Sequence, residues 1–272
     1  MMTDASSPPR AKKSLGQNFL QDRNIAERIV NQLDIGPEDH VLEIGPGPGA
    51  LTRYIHAKGP RAFFVLEKDD HWAAEHATNP PAGDPVLTVV QGDALSYPWC
   101  TLTPGISWKV IGNLPYNVAS PLMWDILSQA SGLVRAVFMI QKEVGDRIVA
   151  VPGNKQYGAL SVWLQSFCVP RRAFIVPPTV FKPRPKVDSA VLRFDPLPRT
   201  SMDFDSAALS WFLKVCFQQR RKQMQTILKG YFGSALAEGL ASAGVEPTAR
   251  PETLSPRQFQ ILATTMKNRI PA

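Results

Sequence analysis

The sequence predicts an α/β fold: an open, mostly parallel sheet with helices on both faces and one antiparallel edge strand, followed by a small all-α C-terminal domain. Three observations carry this expectation. Short apolar runs alternate with segments of helical periodicity through the first two thirds of the chain, the pattern of a sheet buried on both faces. The first of these runs ends in a glycine-rich turn that opens a helix. After Phe194 the strand-like runs stop, and only helix-forming segments follow, punctuated by Gly and Pro.

Taken in order, residues 1–13 are polar, contain Pro8 and Pro9, and end in Arg10, Lys12 and Lys13, which reads as a flexible basic arm. Ile25, Ala26, Ile29, Val30 and Leu33 recur at helical spacing behind Asp22, a residue suited to cap a helix N-terminus. HVLEIG (40–45), RAFFVLEK (61–68), VLTVVQGD (86–93), WKVIGN (108–113) and LVRAVFMIQK (133–142) read as buried strands. Helices are expected between them at about 50–57, 70–77 and 121–130. RAFIVP (172–177) and SAVLRF (189–194) are close enough to pair antiparallel at one edge. DPLPRTSMD (195–203) reads as a linker, and helices are expected at about 205–218, 221–231, 234–243 and 255–267. The expected organisation is a basic arm at 1–13, a ligand-binding domain at 14–200 and a helical domain at 201–272.

The chain has 272 residues, 44% hydrophobic and 19% charged, which allows a sizeable core and argues against intrinsic disorder. The net charge of +7 is unevenly placed. Residues 182–272 hold 14 Lys and Arg against 7 Asp and Glu, whereas residues 1–181 hold 16 of each. A basic surplus confined to the last third points to a polyanionic partner there. Cys100, Cys168 and Cys216 are widely separated and the four His are scattered, so neither a disulfide framework nor a metal site is expected. With no apolar signal core and no run long enough to span a membrane, the expectation is a soluble cytoplasmic protein without membrane contact. A monomer is expected, because no apolar stripe asks for a partner.

The candidate site starts at the first strand. Gly45, Gly47 and Gly49 let the backbone approach a ligand without Cβ interference, and the loop amides are expected to face an incoming nucleotide. Glu67 ends the second strand 18 residues after Gly49, where an acid suits ribose hydroxyls. Asp93 ends the third and could accept from an adenine amine. Gly45-x-Gly47-x-x-Ala50 also meets the dinucleotide fingerprint loosely, so this loop alone leaves nicotinamide and S-adenosylmethionine cofactors both open.

The fourth strand runs into Asn113-Leu114-Pro115-Tyr116. An amide, a proline turn and an aromatic at a central strand's carboxyl end suit methyl transfer to an amine. The lone pair of an adenine amine is delocalised into the ring, so acceptors must hold its protons, aim the lone pair and stabilise the charge developing on nitrogen. The Asn113 side-chain oxygen and a following main-chain carbonyl could do both. Leu114 precedes a proline and is pushed toward an extended conformation that helps turn its carbonyl, and Tyr116 can stack on the base.

Asn113-Leu114-Pro115-Tyr116 resembles the Asn/Asp-Pro-Pro-Tyr/Phe signature of amino methyltransferases. With Asn117-Val118-Ala119-Ser120-Pro121 after it, it is similar to the ribosomal RNA small-subunit adenine dimethyltransferase family. Ser14-Leu15-Gly16-Gln17-Asn18-Phe19-Leu20, Glu43-Ile-Gly-Pro-Gly-Pro-Gly-Ala-Leu-Thr52, Gln141-Lys142-Glu143-Val144 and Tyr157-Gly158-Ala159-Leu160-Ser161-Val162 match other motifs of that family. So does Val176-Pro-Pro-Thr-Val-Phe181-Lys-Pro-Arg-Pro-Lys-Val-Asp188-Ser189, and the resemblance runs from about residue 12 to about residue 230.

The resemblance implies a Rossmann-like class I methyltransferase sheet that uses S-adenosyl-L-methionine. It implies N6,N6-dimethylation of two adjacent adenines near the 3′ end of small-subunit (16S) rRNA, with a role in small-subunit biogenesis on a pre-30S particle. Gln17, Asn18 and Leu20 would line the methionine and ribose side of the cofactor. Gly45 and Gly47 would lie against it, Glu67 would hold its ribose and Asp93 its adenine amine. Asn113 and the Leu114–Pro115 backbone would hold the target amine, with Tyr116 and Phe181 on the two faces of the target base. Arg184 and Lys186 would hold the RNA beside it. Arg220, Arg221 and Lys222 would contact RNA phosphates from a helical segment. Three alternatives stay open on these residues: a nicotinamide-dependent oxidoreductase, a non-catalytic assembly factor that keeps the fold, and a relative acting on large-subunit RNA or in mitochondrial transcription.

Overall fold

The computed structural model describes residues 18–198, 200 and 202–270. The expected basic arm and Gln17 lie outside the described residues. The chain enters through a two-residue strand, β1 (Phe19–Leu20), and α1 (Arg23–Leu33), whose first turn is capped by the Asp22 carboxylate accepting from the Ile25 N–H at 3.0 Å. Five repeats of strand and connection follow: β2 (His40–Ile44), α2 (Thr52–His56), β3 (Ala62–Glu67), α3 (Asp70–Thr78), β4 (Leu87–Gln91), β5 (Trp108–Asn113), α4 (Ala119–Gln129), β6 (Leu133–Gln141) and α5 (Lys142–Ile148). Then come α6 (Ala159–Phe167), β7 (Cys168–Val176), β8 (Phe181–Lys182) and β9 (Ser189–Pro196). The helical end comprises α7 (Ser206–Gln218), α8 (Met224–Phe232), α9 (Ala235–Ser242) and α10 (Pro256–Met266).

The main sheet has seven strands in the order β4-β3-β2-β5-β6-β9-β7. The five expected strands β2 to β6 pair parallel, and the expected pair β7 and β9 is antiparallel at one edge. Within that pair β9 opposes β6, so β9 is the reversed strand and β7 forms the outer edge. Strand period sorts the core into two layers. Val41, Val65, Ile111, Val137 and Val191 pack toward α1 and α2, while Leu42, Val110, Phe138 and Leu192 belong to the cluster that holds α4 and α6.

That second cluster continues without a break into the helical end, through Trp163 and Phe167 of α6 to Phe212, Leu213, Phe259 and Leu262. Phe167 meets Phe204 edge-on at 5.4 Å, and the buried Tyr157 hydroxyl donates to the Leu254 carbonyl at 2.9 Å. β9 ends at Pro196 and α7 starts at Ser206, yet the helices on either side share one core. One expectation needs correction. α8 begins at Met224 rather than 221, so Arg220, Arg221 and Lys222 sit in the turn between α7 and α8. The turn forms because Gln219 leaves helical geometry (φ −123°, ψ 37°) and the Lys222 N–H then donates back to the Gln219 carbonyl at 2.8 Å.

A second, two-stranded sheet was not foreseen. β1 pairs antiparallel with β8, matching Phe19 to Lys182 and Leu20 to Phe181, and the Gln21 N–H donates to the Val180 carbonyl at 2.8 Å. This strap ties the N-terminal segment to the connection between β7 and β9. Both ends of that connection lie at the carboxyl edge of the parallel strands.

Candidate active site

The carboxyl ends of β2 to β5 open onto one cleft. It lies where β2 and β5 are neighbours although the chain runs outward from β2 through β3 to β4, the switch point at which open α/β sheets bind ligands. The structure brings Asn18, Gly45, Gly47, Glu67, Asp93 and Asn113 to its walls, together with Leu114 and Pro115. The charged residues on those walls are Glu67, Asp93 and Lys68.

Gly45, Gly47 and Gly49 all have positive φ (61°, 51° and 80°), which only glycine takes without strain. A Cβ on Gly47 would also come within 3.0 Å of the Phe19 ring. The loop therefore lets β1 lie close over it. Its amides do not do what the sequence suggested. The Gly45 N–H donates to the Leu66 carbonyl at 2.9 Å, the Gly47 N–H to the Glu67 carboxylate at 3.1 Å and the Gly49 N–H to the Pro46 carbonyl at 2.9 Å. Pro46 and Pro48 have no N–H to offer. From Gly45 to Gly49 no amide remains for a phosphate. The Gly47 carbonyl is fixed as well, accepting from the buried His76 ring at 2.8 Å.

Glu67 braces the loop with one oxygen and accepts from the Asp69 N–H with the other at 2.8 Å, leaving one lone pair on each oxygen for a ligand hydroxyl. Asp93 accepts from Lys68 at 2.6 Å and from the Leu95 N–H at 3.0 Å, and these two bonds hold its carboxyl below the usual range. Glu43, on β2 two residues before Gly45, is buried beside Thr52, whose hydroxyl donates to it at 2.8 Å. Burial pushes the Glu43 carboxyl up to about 8 against that hydrogen bond, and the charge of Glu67 adds to the rise. At neutral pH Glu43 is thus mostly protonated.

Asn113 is oriented. Its Nδ2 donates to the Asn18 carbonyl at 2.9 Å, which leaves Oδ1 as the side-chain acceptor. In the turn that follows, the Leu114 N–H donates to the Met139 carbonyl and the Pro115 carbonyl accepts from the Val118 and Ala119 amides. The Leu114 carbonyl makes no such bond among the described residues. Two acceptors of adjacent origin, Asn113 Oδ1 and Leu114 O, are thereby available where β5 ends. Tyr116 lies half-buried beyond them, its hydroxyl 2.8 Å from Ser189 Oγ, and burial raises its phenol above the ordinary value.

Other expected residues are placed differently. Leu20 is buried and borders a small adjoining cavity with Glu43 and Asn113. Phe181 is only 5% exposed, packed in the cluster of Leu20 and Val176, and is not on the cleft wall. Arg184 and Lys186 are exposed on the connection into β9, at the cleft end of the sheet. Arg220 is tied up: its guanidinium pairs with Glu252 and donates to the Lys155 carbonyl at 2.7 Å, while Arg221 and Lys222 are exposed beside it. Phe19, Lys68 and His76 were missed. Phe19 had a signal, since in a strand the neighbour of a buried Leu20 faces the other way.

The model of the ribosomal RNA adenine dimethylase family matches residues 9–267. A ribosomal RNA small subunit methyltransferase A of Nitratidesulfovibrio vulgaris (strain DP4) is 65% identical over 252 residues, covering 93% of this chain and 95% of that one. One from Oleidesulfovibrio alaskensis is 60% identical over 271 residues, covering 99% and 96%. Among solved structures, a dimethyladenosine transferase from Plasmodium falciparum superposes with a TM-score of 0.78 at 23% identity, covering 92% of this chain and 98% of that one. The 23S rRNA methyltransferase ErmE superposes with a TM-score of 0.68 at 25% identity, covering 93% and 99%. Matched along nearly its whole length, on a sheet whose switch point carries an oriented Asn113, the chain belongs to the ribosomal RNA adenine dimethylase family.

Proposed function

We propose that this protein transfers methyl groups from S-adenosylmethionine to the N6 amine of adenine in small-subunit ribosomal RNA, forming N6,N6-dimethyladenine at two adjacent positions near the 3′ end during subunit biogenesis. The observation that carries the reading is the Asn113–Asn18 hydrogen bond. It leaves Asn113 Oδ1 as the side-chain acceptor on a cleft that Leu114 also lines, and an amine with two protons needs a pair of acceptors. The names of the relatives, ribosomal RNA small subunit methyltransferase A, support the substrate.

The cleft fits S-adenosylmethionine better than a dinucleotide. A pyrophosphate asks for free loop amides, and this loop has none between Gly45 and Gly49. A ligand bearing an ammonium and a sulfonium suits walls with two carboxylates and one lysine already paired to one of them. Bound there, S-adenosylmethionine supplies an electrophilic methyl group. The protein's part is positional. Glu67 accepts from ribose hydroxyls through its spare lone pairs, Asp93 accepts from the cofactor's adenine amine, and the Phe19–Leu20 strap closes over Gly47. Asn113 Oδ1 and Leu114 O hold the two protons of the target amine, aim its lone pair and stabilise the positive charge that develops on nitrogen. Tyr116 stacks on the extruded base, a contact worth about 1–3 kcal/mol. Phe181 takes the second face only if the β1–β8 strap shifts, because its ring is buried.

In this reading residues 14–200 carry the chemistry and 201–272 hold RNA, with Arg184, Lys186, Arg221 and Lys222 as phosphate contacts. Among the described residues no helix is long and apolar enough to cross a membrane; in this reading the protein works as a cytoplasmic monomer on pre-30S particles. The test is transfer of labelled methyl groups to unmethylated small and large subunits in parallel. Label in small-subunit RNA, mapped to adjacent adenines near the 3′ end, is expected; label in large-subunit RNA instead, or none, would overturn the assignment.

A further inference from the structure

We propose that Ser189 is a positioning residue that sets the Tyr116 ring for base stacking. The inference rests on the reading of Tyr116 given above. It begins with topology. β9 is the reversed strand of the sheet, so its first residue, Ser189, stands at the end where the parallel strands finish. There it is level with Gln141, near the end of β6, and with Val176 at the end of β7. The turn after β5 carries Tyr116 sideways across the end of β6, and the phenol hydroxyl comes to rest 2.8 Å from Ser189 Oγ.

The two partners differ in a way that makes one the anchor. Ser189 is fully buried, held on both sides by strand pairing and preceded by Asp188, whose carbonyl accepts from the Lys142 N–H at 3.0 Å. Tyr116 is half-buried on an irregular turn. A hydrogen bond to a fixed hydroxyl restrains the ring. A phenol tethered at its hydroxyl cannot swing about its χ1 bond. Without the tether, the ring must be ordered at the moment the base arrives, a cost that falls on the encounter with RNA and not on cofactor binding.

Ser189→Ala removes one oxygen and little volume. Loss of one such hydrogen bond predicts a fall of roughly three- to tenfold in kcat/KM for RNA, with S-adenosylmethionine affinity unchanged by calorimetry. Tyr116→Phe removes the same bond from the other end and should show the same fall. The deciding measurement is the double variant. If Ser189 acts through the Tyr116 hydroxyl, Ser189→Ala costs nothing further in the Tyr116→Phe background. Equal losses in both backgrounds would overturn the proposal, because a general packing role does not depend on that hydroxyl. Tyr116→Ala separates this from the underlying reading: if it transfers methyl groups at the normal rate, stacking by Tyr116 fails, and Ser189 has nothing to position.

Discussion

Replacing Asn113 tests two halves of one side chain separately. Its Nδ2 donates to the Asn18 carbonyl at 2.9 Å, and in the proposed mechanism its Oδ1 is one of two acceptors for the target amine. Asn113→Ala removes both. Losing one of two acceptors aimed at a developing charge costs about 2.7–4 kcal/mol, so kcat should fall by roughly 10²–10³. Losing the bond to Asn18 loosens the strap that covers the cofactor, at about 0.5–1.5 kcal/mol, so the cofactor dissociation constant should rise by only about two- to tenfold. Asn113→Asp separates the two effects. It keeps an acceptor but sets a carboxylate against the Asn18 carbonyl, so cofactor binding should weaken while kcat at saturating cofactor stays well above that of the Ala variant. The assay is single-turnover transfer at saturating RNA beside calorimetry for S-adenosylmethionine. An Asn113→Ala enzyme with kcat within about threefold of normal would refute the acceptor role.

Four further outcomes are expected. Glu43 has a folded-state value of about 8 against an ordinary 4.5, so the folded state holds this proton more tightly than the unfolded chain. Its contribution is therefore fully present below about pH 4.5 and lost as pH rises toward 8. Glu43→Gln should flatten that decline in thermal melts, and an identical pH profile would remove Glu43 as its source. Arg221 and Lys222 neutralised together should weaken RNA binding and shallow its salt dependence by about one to two ion equivalents. Arg220→Ala should instead lower the melting temperature through loss of the Glu252 and Lys155 contacts; a changed salt slope with an unchanged melting temperature would reverse the two roles. Gly47→Ala meets both a positive φ and the Phe19 ring at 3.0 Å, so cofactor affinity should fall at least tenfold. A normal dissociation constant would mean that the strap does not cover the cofactor.

Much of this architecture is visible locally. Asp22 ahead of a helical apolar stripe, five apolar runs each ending in Gly, Asn, Asp or a charged residue, and the helix-only texture after Phe194 need no knowledge of distant partners. The cleft follows from the same signals, because Gly45, Glu67, Asp93 and Asn113 all stand at strand ends that a parallel sheet brings together. What was hidden depends on contacts across long stretches of chain. β1 and β8 are two residues each, paired across about 160 positions, and carry no periodicity of their own. Arg220 looks like one of three phosphate contacts until Glu252 arrives from another segment. The Gly loop is a different case. Pro46 and Pro48 already announced that two of its five residues had no N–H, and the expectation of amides facing a nucleotide overlooked it.

In the proposed mechanism Asn113 and the Leu114 carbonyl present an adenine amine to a methyl donor held at the switch point of the sheet. Its most direct test is nucleoside analysis of small-subunit RNA after reaction of unmethylated particles with S-adenosylmethionine and excess enzyme. About two N6,N6-dimethyladenosines per RNA are expected from the native protein and almost none from Asn113→Ala. A methylated nucleoside other than N6-methylated adenosine, or equal yield from both proteins, would contradict it.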